Sequence, residues 1–278
     1  MIIDRIKVIR ASFKKEFIQY IRYPSWIIAS FIWPLIIPFF YVAAGIAMAG
    51  PDGSGYDTFK NIAGTESYIG YVIIGTMVWS WVNMTMWSFG SYLRSEQTRG
   101  TLESNWLCPI NKFDLFIGQG IFSIATSLIS LVISILEYKY IYGVTFNATP
   151  LGWIVSFLIF LPGVYGFGLM FSSLILVAKE AGATVQIIRG IITIFCGVSY
   201  PIIMLPEWMK VVSSTLPFTY GINASRKLLL NGTLVTSGEV TYDIFMCILL
   251  GSVMFIIGRI LFSSLEKKVR LSGSLERF

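Results

Sequence analysis

The chain has 278 residues, 55% of them hydrophobic and 13% charged, with a formal net charge of +6. Soluble domains carry about 25% charged residues, so a deficit spread along the whole sequence excludes an ordinary soluble domain and predicts an integral membrane protein. Histidine is absent, and Cys108, Cys196 and Cys247 have no metal or redox spacing, which removes the commonest metal ligand and the commonest general base. The basic excess fits retained cytoplasmic loops better than nucleic-acid binding.

At the N-terminus, Ile2, Ile6, Ile9, Phe13, Phe17 and Tyr20 recur at three- and four-residue steps, with Lys7, Arg10 and Lys14 on another face. This predicts a basic amphipathic helix over 1–23, lying in the inner interface. The Tyr23–Pro24 step ends it, because the residue before proline avoids helical angles. Pattern alone leaves open a membrane-surface anchor and an elbow helix that borders a cytoplasmic partner. The apolar run that follows is too long for the core of a signal peptide, so no cleavable leader is expected.

Six runs have the length to cross a bilayer as helices: 25–47, 68–91, 113–136, 151–177, 184–204 and 240–263. The fifth contains Arg189, expected to snorkel to the inner phosphates, and Arg259 is read likewise at the inner end of the sixth. With the N-terminus inside, 16 of the 21 Lys and Arg residues lie on the cytoplasmic side. Lys60, Lys139, Lys210, Arg226 and Lys227 stay outside, and the bias predicts both termini in the cytoplasm. The chain reads as a single transmembrane domain, 1–278, with a Gly-rich outer loop over about 48–67 and no soluble domain at either end.

Polar stripes run along three of these spans. Thr76, Ser80, Asn83, Trp87 and Ser91 share a face of the second, and Gln186, Gly190, Thr193, Gly197 and Tyr200 a face of the fifth. Gln119, Ser123, Ser127, Ser130 and Ser134 do so in the third. Such stripes usually pack helix on helix, which is the preferred reading for the third span.

Between spans two and three lies a polar island, Glu96 to Pro109, with the sequence EQTRGTLESNWLCP. Glu96, Arg99 or Gly100, and Glu103 fall on one helical face, while Leu102 and Trp106 form an apolar spot. One short helix over 94–109 is expected, and its plainest reading is a solvated loop helix. Asn111 is placed to cap the third span, with Asp114 at its positive end. Further on, 201–232 is too broken to span and too apolar for an ordinary loop. Pro206 and Glu207 suit a helix start, Pro217 opens a second helix, and Asn231–Gly232 closes it. Two outer re-entrant helices over 205–232 are expected against protein, either as a lid over a path or as a plain interfacial pair.

The run Glu96-x-x-x-Gly100-Thr101-Leu102-Glu103, followed by Pro109 and Gly118–Gln119, resembles the signature of ABC-2 type transporter permeases, which also sits after the second span. The family often has Lys where this chain has Gln119. The likeness extends over the whole chain, from the basic amphipathic start to the Pro-rich outer segment. It implies a coupling helix that docks on an ATP-hydrolysing subunit, a role carried onto Glu96, Arg99, Gly100, Thr101, Leu102, Glu103 and Trp106. It also places spans two and five near a subunit interface, so that Thr76, Ser80, Asn83, Trp87, Gln186, Thr193 and Tyr200 become candidates for a substrate path. Pro201, Pro206, Pro217 and Tyr220 would form an outer gate.

No G-x-x-x-x-G-K-[ST] run, inward carboxylate pair or ionisable residue deep in a span is read from the sequence. The chain is therefore expected not to be an enzyme and to hold no cofactor itself. ATP and magnesium are expected in two copies of an ATP-binding cassette subunit, docked beneath this chain and a second permease, identical or homologous. The fold expected is an all-α integral membrane protein of the plasma membrane. It would have six transmembrane helices, an N-terminal amphipathic helix, a cytoplasmic coupling helix and an outer helical hairpin between spans five and six. The function implied is ATP-driven export of an amphipathic drug, lipid or lipid-linked glycan. The alternatives are a small-ion extruder of the same family and a non-transport membrane scaffold.

Overall fold

A computed structural model describes residues 2–49, 54–63, 65, 67–175 and 181–272. Every regular element among them is helical. In chain order these are α1 (Ile2–Arg22), α2 (Pro24–Ala49), α3 (Ser54–Ala63), α4 (Tyr68–Gly90), α5 (Tyr92–Thr98), α6 (Leu102–Leu107) and α7 (Lys112–Ile141). Then come α8 (Pro150–Leu158), α9 (Leu161–Ile175), α10 (Ala181–Phe195), a 3-10 turn at Ile202–Met204, α11 (Glu207–Ser214), α12 (Pro217–Leu229) and α13 (Gly238–Ser272).

Among the described residues, five stretches are long and apolar enough to cross a membrane: Ile27–Ala47, Tyr68–Ser88, Lys112–Ile141, Pro150–Leu174 and Gly238–Lys267. The fourth contains a break between α8 and α9, where Pro162 has no N–H to continue the ladder. The expected fifth span is not one helix over 184–204. Helix α10 stops at Phe195, and its apolar part, Val185–Phe195, is shorter than a full crossing. Gly197 turns the chain there at φ +63, and Pro201 follows within one turn. Nor is 48–67 all loop, since α3 occupies Ser54–Ala63; residues 50–53, 64 and 66 lie outside the described set.

Helix α4 is the central post. Val72, Ile73, Ile74, Met77, Val78, Val82 and Met86 are all buried, and α4 packs on α2, α7, α9 and α12. Its C-terminal end is pinned to α7 by Gln119, whose Nε2 donates to Ser88 Oγ at 3.1 Å. On the other side α13 lies along α9.

Helix α2 carries two internal prolines, Pro34 and Pro38. Each lacks an N–H, so the carbonyls of Ser30 and Pro34, four residues earlier, lose their normal intrahelical donors. Helix α7 supplies replacements from positions eight residues apart on one face. Ser130 Oγ donates to Ser30 O at 3.2 Å, and Tyr138 OH donates to Pro34 O at 2.9 Å. The polar stripe of span three is thus packing chemistry, as its residue types suggest. Ser127 completes it by accepting from Thr85 of α4 at 3.2 Å.

Helix α1 lies against the N-terminal part of α7. Phe13 and Tyr20 meet Phe122 edge-on, with ring centroids 5.7 and 5.8 Å apart. Ser12 Oγ donates to Leu115 O at 3.0 Å. Asp114, buried, takes a forked pair of bonds from Arg5, the shortest being 2.7 Å. A Cβ at Gly118 would stand 2.6 Å from Ile9 O, so the glycine of the Gly118–Gln119 pair is the seat of α1. Asn111 caps α7 by accepting from Phe113 N at 3.0 Å.

Candidate functional sites: the polar island and the α4–α10 seam

The island is a corner, not one helix over 94–109. Helix α5 closes with Gly100 N donating to Gln97 O and Thr101 N donating to Glu96 O, both at 3.0 Å. Gly100 sits at φ +69. This bond pair around a left-handed glycine is the Schellman closure. Helix α6 opens at once, with Asn105 N donating to Thr101 O. The face that Glu96, Arg99 and Glu103 were expected to share does not form, because the helix that would carry it turns between them. Gly100 is needed for its backbone angle; a Cβ there would meet nothing within 4 Å.

Glu96 is 1% exposed. Its carboxylate accepts from Thr101 Oγ1 at 2.9 Å, Asn105 Nδ2 at 2.6 Å and Arg99 Nη1 at 3.4 Å, and it forms a close ion pair with Lys15 of α1. The structure therefore places this carboxylate inside the chain, where it fastens α1, α5 and α6 together. Glu16 stands behind it, and burial pushes the Glu16 carboxyl above its usual range. Lys112 reaches back from α7 to the carbonyls of Asn105 and Cys108, at 2.9 and 2.6 Å, and so caps the negative end of α6. Leu102 is also internal, packed with Tyr92, Leu115 and Phe116. What faces outward is Arg99, Gly100, Thr101, Ser104 and Leu107, the last 85% exposed. The side chains of Glu103 and Trp106 lie outside the described residues.

The path candidates divide. Thr76 is buried, and its hydroxyl is spent on Val72 O and Ile73 O of its own helix. Asn83 and Trp87 come together with α10. Arg189 Nε donates to Asn83 Oδ1 at 2.5 Å, Arg189 Nη1 donates to Gln186 Oε1 at 3.1 Å, and the guanidinium lies 4.9 Å from the Trp87 ring centroid. Thr193 donates to Arg189 O at 2.8 Å. Ser80 is half-buried on α4, and Tyr200 lies beyond α10, bonded back to Ile194 O. The head of Arg189, expected to snorkel, is engaged by α4 and by its own helix. Arg189 occupies the inward stripe of α10, between buried Val185 and Ile192, and is held at mid-helix by amides and a ring. An ionisable residue does therefore lie within an apolar helix.

The outer segment has a surface half and a core half. Helix α11 is capped at exposed Pro206 and shows Trp208 and Val211 to the outside. Helix α12 begins at buried Pro217, and Phe218, Ile222 and Leu229 join the main core. Tyr220 OH donates to Ser214 O at 3.2 Å, tying the two together. Pro201 is buried between α10 and the 3-10 turn. Arg226, counted from sequence among the outer charges, is 5% exposed. It donates to Tyr71 O at 3.3 Å, Tyr71 OH at 2.9 Å and Val198 O at 2.6 Å, and stacks 3.6 Å from the Tyr71 ring centroid. It fixes α12 to α4 and to the turn after α10.

Lys15, Leu107, Lys112 and Arg226 are the residues that sequence reasoning missed at these sites. Only Leu107 had a readable signal, as an apolar residue ending the polar run. Lys15 and Arg226 act through partners far away in the chain, and Lys112 through carbonyls that only the turn after α6 brings within its reach.

Among the described residues, five stretches long and apolar enough to cross a membrane, a polar corner and a core-anchored hairpin beyond the short helix α10 define a multi-pass helical membrane protein. The model of the ABC-2 type transporter family matches residues 7–230, which take in the island, the seam and α12. The chain belongs to the ABC-2 type transporter family and is a transmembrane permease of an ABC transporter. A comparison with curated proteins gave no match.

Proposed function

We propose that this permease is the membrane subunit of an ATP-driven exporter of amphipathic molecules. In this reading both termini are cytoplasmic, and α10 with the turn beyond it forms a short sixth membrane element. Two permease copies, or one and a homologue, stand over two ATP-binding cassette subunits that hold ATP and magnesium. The α4–α10 seam borders the path, and α11 with α12 forms a re-entrant outer gate.

One observation carries the reading. The corner at Arg99–Thr101 and Leu107 is exposed, yet it is fastened from behind to α1 through Lys15–Glu96 and to α7 through Lys112. A tip with a rigid back passes on a push from a partner, whereas a solvated loop absorbs it. Leu107 supplies an apolar contact that a docking groove can bury.

The test measures ATP-dependent efflux from vesicles that carry the permease with its cassette subunit. Gly100→Trp strains the left-handed corner by about 1–2 kcal/mol, and Leu107→Asp puts a charge into the docking contact. Each is expected to lower flux at least tenfold while leaving the amount of folded protein unchanged. Full flux in both variants would remove the coupling role.

A further inference from the structure

We infer that Arg189 at the α4–α10 seam is a receptor for the anionic headgroup of an amphiphile that enters from the inner leaflet. This rests on reading the seam as the border of the substrate path, and it adds the charge class of the cargo.

Arg189 has a full positive charge and only neutral partners: Asn83, Gln186 and the face of Trp87. No carboxylate pairs with it among the described residues. Arg226 and Arg259 also rest on rings, those of Tyr71 and Phe113, but three cations of α1 and the corner are treated differently. Arg5 has Asp114, and Lys15 and Arg99 have Glu96.

Depth makes this informative. Arg189 is eight residues into α10, a rise of about 12 Å. Asn83 is seven residues before the end of α4, a rise of about 10 Å. Counted from the limits of the apolar stretches, Val185 and Ser88, Arg189 and Asn83 lie about 6 and 8 Å in, which sets the guanidinium inside the inner-leaflet edge of the hydrocarbon in the proposed topology. An uncompensated cation there is costly and marks a ligand or ion pathway.

The surroundings specify the rest of the ligand. The outward face of α10 offers exposed Ile187, Ile191 and Ile194, which suit an acyl or polyprenyl tail. Beside Arg189, Gly190 has open space where a side chain would stand. Amides that orient the fork without neutralising it leave its charge for a phosphate or carboxylate. The same charge disfavours cationic drugs.

The full-length permease in neutral detergent is titrated with a fluorescently tailed phosphatidic acid and with the phosphatidylcholine of the same tail. At least tenfold tighter binding of the phosphatidic acid is expected. Inorganic phosphate at millimolar concentration should not displace it, because the tail provides access. Arg189→Gln should reduce the preference to less than twofold, and Arg189→Lys should keep most of it. Gln186→Glu, at an exposed position, leaves Arg189 in place but gives it an internal carboxylate, and should abolish the preference in a folded protein. Equal binding of the two lipids overturns the inference. So does displacement by inorganic phosphate, or a preference that survives Arg189→Gln and Gln186→Glu while only thermal stability falls. ATP-driven movement of the phosphatidic acid is scored separately. Charge-selective binding without movement refutes the path reading and leaves the anion site standing; movement without charge selectivity refutes the site.

Discussion

At the residue scale, the polar side chains of this permease mostly repair or fasten the fold. Tyr138 and Ser130 answer the carbonyls that Pro38 and Pro34 release in α2. Each bond spans about a hundred residues, so neither proline nor tyrosine announces it locally. Tyr138 is fully buried, and Tyr138→Phe removes the donor while keeping the ring. The Pro34 carbonyl is then left unpaired in an apolar setting, at a cost of about 1–3 kcal/mol. Thermal unfolding in detergent is expected to show that loss, and Ser130→Ala a loss of the same kind. Unfolding unchanged in both would show that the proline-freed carbonyls need no partner. Glu96 follows the same logic with charge in place of a hydroxyl. Its four donors come from α1, the corner and α6. A carboxylate this enclosed fixes the position of the exposed residues around it and leaves the outward contact to Arg99, Thr101 and Leu107.

At the element scale, what could be read from the sequence was what the bilayer imposes. A crossing helix needs a long apolar run, so α2, α4, α7 and α13 stand where hydropathy alone puts them, and proline marks the starts of α8, α11 and α12. Two of the failures share one cause. Whether 184–204 runs on as a helix depends on Gly197 taking a left-handed turn, and whether 94–109 is one helix or two depends on Gly100 doing the same. A glycine in a sequence permits that angle but does not dictate it. The candidate site was legible as composition, a polar island and two polar stripes. It was not legible as geometry, because Lys15–Glu96, Asn83–Arg189 and Tyr71–Arg226 join residues 81, 106 and 155 apart. Helix α1 offers the clearest test of an element's placement. Gly118→Leu would drive a side chain into Ile9 O and Ser12, each 2.6 Å from the position of a new Cβ. Overpacking of that kind costs about 1–3 kcal/mol, and it falls on the α1–α7 contact alone. Limited trypsinolysis is expected to cut at Lys7, Arg10 and Lys14 many times faster in the variant, with the fragment from α2 onward intact. Cutting at the parental rate would mean that α1 does not depend on this seat.

At the scale of the whole molecule, the corner, the seam and the hairpin line up along one structure. The corner is fastened to α1, α4 and α7. Helix α4 continues upward through Asn83 to the Arg189 seam and then to Tyr71, where Arg226 holds α12. A push at the corner therefore meets a continuous packed post rather than a chain of loops. That arrangement is useful only if the tip is on the cytoplasmic side, and the native cysteines test this without engineering. Cys108 is exposed beside the tip, whereas Cys196 and Cys247 are buried, so Cys108 is the one expected to react with a membrane-impermeant maleimide. Labelling is expected in inside-out vesicles and absent in intact cells until they are permeabilised, and added cassette subunit should slow it by covering the tip. Prompt labelling in intact cells would put the corner outside, and with it would fall the cytoplasmic termini, the inner-leaflet depth of Arg189 and the docking of an ATPase at Leu107.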